Sequence, residues 1–191
     1  MVEVFGYVCP ACARFHPLLA SWIETLPRDV TLRYVPAPFG ADWDPYARGF
    51  YVADAMGLTS RTHDALIDAI HLTHTMPGEG QSPSDEAVAK FYGNYGVDTL
   101  LFLDQMRSFA TQAKMQRGMQ FLVRSSVEGT PTLIVAGKYR VTGRTYRDTL
   151  RIASELVRRE RASRVATTPA ALSHRTLSPP PPPTARAPQG S

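Results

Sequence analysis

The segment Val2-Glu3-Val4-Phe5-Gly6-Tyr7-Val8 runs directly into Cys9-Pro10-Ala11-Cys12, and no other stretch limits the possible folds as tightly. The residues before the cysteines are β-branched or aromatic and apolar on both faces, the pattern of a central, buried strand. Residues 13–22 read as a helix that begins at the cysteines. Pro10 sits at a tolerated first-turn position, and Pro17 inside the helix predicts a kink. A second strand is expected over residues 30–35, closed by Pro36 and Pro38. Strand, helix and strand at that spacing form a βαβ unit with parallel strands.

The chain holds two cysteines, three residues apart. A thiol exchanges with a disulfide only as its thiolate, and a helix start stabilises that thiolate. Cys9, just outside the helix, fits the attacking role. Cys12 lies one turn later on the same face, near enough to close a disulfide. Ala11 adds no charge and no side-chain hydrogen bond, so a lowered pKa at Cys9 is expected from the helix end. Three other readings stand beside redox chemistry. A zinc site wants about four ligands, and only His16 lies near the pair. A structural disulfide closing so short a loop stabilises little. Two inert thiols leave the proline between them unexplained.

Further along, the pattern turns helical. Helices are expected over 46–56 and 61–75, then a short one capped by Ser84 and ending near Gly93. Another is capped by Asp98, and a last one covers 110–126. After Gly129-Thr130-Pro131, a hairpin is expected, with strands Thr132–Val135 and Tyr139–Val141 around Ala136-Gly137-Lys138. A terminal helix over 145–161 follows, with Leu150, Ala153 and Val157 on one face. The fold class is therefore α/β: a central mixed sheet flanked by helices, with an inserted all-helical subdomain. The expected division is 1–44 with 119–161 as one discontinuous domain, 45–118 as the helical insertion, and 162–191 as a disordered, Pro-rich tail.

The length of 191 residues suffices for one sizeable core. No run approaches the roughly 18 apolar residues of a membrane helix. The net charge of +4 owes much to arginines near the C-terminus, read as a solvated helix end, so no nucleic-acid partner is expected.

The segment from Val4 to Cys12 resembles the active-site segment of the thioredoxin superfamily, and specifically of DsbA-type proteins. Pro17 matches the superfamily's helix proline, and Gly129-Thr130-Pro131-Thr132 is similar to its cis-proline loop. Gly137-Lys138-Tyr139 is similar to the DsbA hairpin turn, and the helical block matches the DsbA insertion. The resemblance covers roughly residues 1–160 and implies a thioredoxin-like fold. It also implies roles. Cys9 matches the nucleophile and Cys12 the resolving cysteine. Pro131 matches the cis-proline that meets substrate backbone, Thr130 the redox-tuning residue before it, and Pro10 and Ala11 the part of the motif that faces substrate. Glu3 matches a buried acid that assists proton movement at the resolving cysteine, and Arg33 aligns with a basic residue that can accompany it.

The implied activity is a thiol–disulfide oxidoreductase that donates a disulfide to unfolded or partly folded exported proteins. A membrane quinone-linked enzyme would reoxidise it, with no cofactor or metal of its own, and the expected state is a monomer. The expected compartment is the periplasm. Met1 leads into the first strand without the basic and apolar segments of an export signal, so the chain is expected to be either a truncated gene product or a mature fragment. The family's usual preceding strand is also missing, and Ala11 stands where a histidine is common. A reductase or isomerase, or a non-catalytic thioredoxin-fold binding module or chaperone, is the alternative.

Overall fold

In the computed structural model of the chain, residues 1–167 are described. The predicted strand is β1 (Val2–Phe5), and it runs through a turn into α1 (Pro10–Ile23), which continues unbroken through Pro17. Next come β2 (Arg33–Pro36), α2 (Asp44–Ala55), α3 (Thr59–His71), α4 (Asp85–Gly93), α5 (Thr99–Arg107) and α6 (Phe109–Arg124). The hairpin β3 (Thr132–Val135) and β4 (Tyr139–Val141) leads to α7 (Tyr146–Thr167).

The sheet order is β2-β1-β3-β4. β1 pairs parallel with β2, as the βαβ spacing requires, and antiparallel with β3. Placing β1 in the middle accounts for apolar residues on both of its faces, since both are covered, and it buries Glu3 with them. Phe15 and Leu19 of α1 pack with Leu133, Val135 and Val141 of the hairpin and Leu150, Ala153 and Val157 of α7. On the other face, Val4 meets Leu122 of α6. The insertion builds its own core from Tyr46, Phe50, Leu66, Val88, Tyr92 and Phe102. That core is continuous with Phe5, Tyr7 and the cysteines. Continuous packing of this kind gives the cysteine segment a solid base on the insertion side.

Several boundaries move, each for a local reason. The Ser84 and Asp98 side chains cap as expected, accepting from Ala87 N–H at 3.1 Å and Leu101 N–H at 2.8 Å. Ser108 caps α6 in the same way, so that helix starts earlier than residue 110. α6 then runs unbroken across 118/119, where the domain boundary was expected. α3 stops at His71, short of residue 75, because the chain turns into a positive φ at His74. β2 starts at Arg33 rather than residue 30, where β1 begins to offer it partners. The tail was expected from 162, but α7 carries on to Thr167, its charged outer face held by pairs such as Arg158–Glu155 and Arg161–Asp29. The rest of the expected Pro-rich tail lies outside the described residues.

Gly6 shows why the strand-to-helix turn has its sequence. A Cβ at that position would fall inside the ring of Trp43, so only glycine lets the turn pack there. The Gly6 carbonyl in turn accepts the Cys9 N–H at 3.2 Å.

Candidate active site

Cys9 is the N-cap of α1, with an extended backbone of φ −72° and ψ 114°. Its Sγ accepts the Cys12 N–H at 3.2 Å, taking up one of the free donors that every helix start leaves. Pro10 occupies the first helical turn, where its missing N–H costs nothing. Both cysteines are free thiols and buried. Pro10 and Ala11 between them are partly exposed, so these two residues are the accessible part of the motif.

The two thiols are set apart electrostatically. The Cys12 thiol, first of all, donates to Cys9. Thr130 and the backbone N–H groups of Cys12 and Ala11 add to it, and together they bring Cys9 down to about 6 against the opposing effect of burial. Burial, and then the neighbouring Cys9, push Cys12 far above the ordinary thiol range. Near neutral pH the pair therefore offers one thiolate and one retained proton. The absorbance of the reduced protein at 240 nm should accordingly titrate with a midpoint of about 6. In a Cys12→Ala variant, which lacks the leading donor, the midpoint should rise. A parent midpoint near the ordinary ~8.5 would contradict the assignment of Cys9 as the thiolate.

The far-off loop arrives where the resemblance implied. The Cys9 thiol lies 3.6 Å from the Thr130 carbonyl oxygen, across 121 residues of sequence. The Thr130–Pro131 peptide bond is cis. Beside Pro131 opens a cavity of about 420 Å³ between the hairpin and the start of α7. Phe15, Leu133 and Val141 line it with apolar surface.

Glu3 is 2% exposed, and among the described residues it makes no hydrogen bond or ion pair. Burial, with the Cys9 charge second, raises its carboxyl to about 8. Arg33 is not its partner. In the β1–β2 ladder Arg33 pairs with Val2, while Tyr34 pairs with Glu3. Side chains alternate across a sheet, so a slip of one residue sends Arg33 to the opposite face, where it is exposed. The neighbour of Glu3 is Tyr34, whose hydroxyl is made less acidic by burial and by Glu3.

His63, which no local pattern announces, also packs beside Tyr34. Its ring lies 4.5 Å from that of Tyr34, and its Nδ1 shares a 2.9 Å hydrogen bond with the Tyr7 hydroxyl. Burial holds it neutral, down to about 3. Strand alternation was the available signal for Tyr34. For His63 there was none, since it comes from the insertion. His16, the one further ligand weighed for zinc, turns instead to Asp64 at 3.0 Å.

No protein-family model matches the chain, but individual relatives do. The thiol:disulfide interchange protein DsbA of Pseudomonas aeruginosa is 34% identical over 166 residues, spanning 85% of this chain and 76% of the relative. The protein of the same name from Azotobacter vinelandii is 33% identical over 167 residues, spanning 85% and 75%. Among solved structures, oxidoreductase DsbA from Xylella fastidiosa superposes with a TM-score of 0.79 at 40% identity, covering 84% of this chain and 85% of that one. Pseudomonas aeruginosa DsbA gives 0.75 at 34%, covering 86% and 84%. The likeness thus takes in the thioredoxin-like sheet and the helical insertion together. With a thiolate poised at a helix start and relatives this similar over most of both lengths, the chain belongs to the DsbA family of thiol:disulfide interchange proteins and is a thiol–disulfide oxidoreductase.

Proposed function

We propose that this enzyme works as an oxidant, passing its Cys9–Cys12 disulfide to thiol-containing proteins that are unfolded or partly folded. A substrate thiolate attacks Cys9 Sγ and the Cys9–Cys12 bond breaks. The electron pair leaves on Cys12, which takes up a proton. A second substrate thiolate then attacks the substrate sulfur of the mixed disulfide and expels Cys9 as thiolate. The substrate loses two electrons and gains a disulfide, while the enzyme ends as the dithiol.

The observation that carries this reading is the stabilised Cys9 thiolate. Whatever favours the reduced pair makes the disulfide a stronger oxidant, by about 30 mV for each tenfold. Thr130 and Pro131 present backbone to the substrate beside Cys9, while Pro10 and Ala11 form the exposed part of the motif. Glu3, with its carboxyl at about 8, serves as a proton store for Cys12 through the buried interior. Arg33 has no part in that step. The chemistry fits an oxidising compartment such as the periplasm, a monomer, and reoxidation by a membrane quinone-linked enzyme.

Equilibration with glutathione buffers tests the direction of electron flow. The pair should be half-reduced at or above about −180 mV, the range of disulfide isomerases. The oxidised protein should also convert a two-cysteine peptide to its disulfide one for one. A midpoint near about −270 mV, the thioredoxin value, with slow peptide oxidation, would make the enzyme a reductant.

A further inference from the structure

We propose that Arg144 makes the groove beside Pro131 selective for substrates carrying a carboxylate next to the reacting cysteine. This rests on the oxidant reading above and adds a substrate class to it. The groove floor, formed by Phe15, Leu133 and Val141, accepts apolar side chains of any sequence. Four threonines add hydroxyls, and among the described residues Arg144 is the single charged one lining the cavity.

Its charge is left unanswered locally. The acid closest in the chain, Asp148, is already engaged. One carboxylate oxygen accepts the Arg144 backbone N–H at 3.1 Å. The other takes the guanidinium of Arg151 at 2.7 Å. The Arg144 side chain itself makes no ion pair among the described residues and is exposed. Its base is firmly placed. A Cβ on the preceding Gly143 would overlap the backbone of Thr149, so the loop lies flat against α7. A guanidinium on a fixed loop, above an apolar floor and next to the cis-proline, is suited to a bidentate grip on a carboxylate.

The test uses one two-cysteine peptide with Glu, Gln or Lys flanking the first cysteine, on either side. Second-order rate constants for its oxidation are measured with the parent, Arg144→Gln, Arg144→Glu and Arg159→Gln proteins. Each peptide is compared as a parent-to-variant ratio, which cancels the effect of the flanking residue on the peptide's own thiol. At low salt the parent should favour the Glu peptide over the Gln peptide by about three- to fivefold relative to Arg144→Gln, the range of a partly exposed ion pair. Arg144→Glu should turn the preference toward Lys. Arg159→Gln, which removes an exposed cation on α7 that does not line the groove, should keep the parent's preference. Added salt should shrink all of these differences. Equal ratios for all three peptides would overturn the selectivity and leave the oxidant reading standing. A protein that oxidises none of them would overturn both.

Discussion

Replacing Cys9 with serine is expected to lower the rate of peptide-thiol oxidation by a factor on the order of 10⁴ or more, because the atom that forms the mixed disulfide is gone. A serine hydroxyl neither forms a disulfide with Cys12 nor ionises near neutral pH, so the favourable helix start has nothing to act on. Cys12→Ser should behave differently. Cys9 keeps its place at the start of α1 and still attacks a disulfide-containing peptide, releasing one peptide thiolate. The resulting adduct then lacks the thiol that would resolve it. Mass spectrometry under non-reducing conditions should find this variant carrying the peptide on Cys9, while the parent carries little. Unchanged oxidation by Cys9→Ser would mean that the reaction does not run through a mixed disulfide at Cys9.

The second large effect concerns the dependence of stability on pH. With its carboxyl at about 8 in the folded chain instead of 4.5, Glu3 keeps its proton where the unfolded chain has lost it. The unfolded state therefore gains as pH rises from about 4.5 to about 8, and the fold loses up to roughly 5 kcal/mol over that window. Below about 4.5 both states are protonated and the penalty vanishes. Glu3→Gln retains the shape without the titration, so its stability should pull ahead of the parent as pH rises through this window and level off above it.

Urea unfolding of the oxidised proteins is the suitable measurement, since no Cys9 thiolate then adds a slope of opposite sign. Without that thiolate the Glu3 carboxyl falls somewhat, because the Cys9 charge is its second cause, but the larger cause, burial, remains. His63, held neutral, loses stability as pH falls below its ordinary range, again with the opposite sign. It is common to both proteins and cancels in their difference. Parallel pH curves for parent and Glu3→Gln would mean that Glu3 ionises freely in the fold.

Much of the architecture could be read directly from local patterns. The buried strand β1, the capping residues Ser84 and Asp98, and the hairpin at Thr132–Val135 and Tyr139–Val141 lie where periodicity and capping chemistry put them. These features rest on neighbouring residues, and neighbouring residues are what a sequence shows. Helix ends were less legible. The stop at His71 goes with the turn into a positive φ at His74, and the last turns of α7 lie where Arg161 reaches Asp29, 132 residues away.

At the site the division is sharper. The sequence alone determined that a thiol pair opens a helix after a buried strand, and hence which cysteine gains from the helix start. Only the tertiary structure decided what surrounds that pair. It brought the Thr130 carbonyl to 3.6 Å from Cys9 and buried Glu3 with no hydrogen bond or ion pair among the described residues. It also set Tyr34 rather than Arg33 beside that acid. Local helix geometry follows from a few consecutive residues. Desolvation, strand register and contacts across a hundred residues arise only when distant segments share one core, and those are the terms that give Cys9, Cys12 and Glu3 their separate proton affinities.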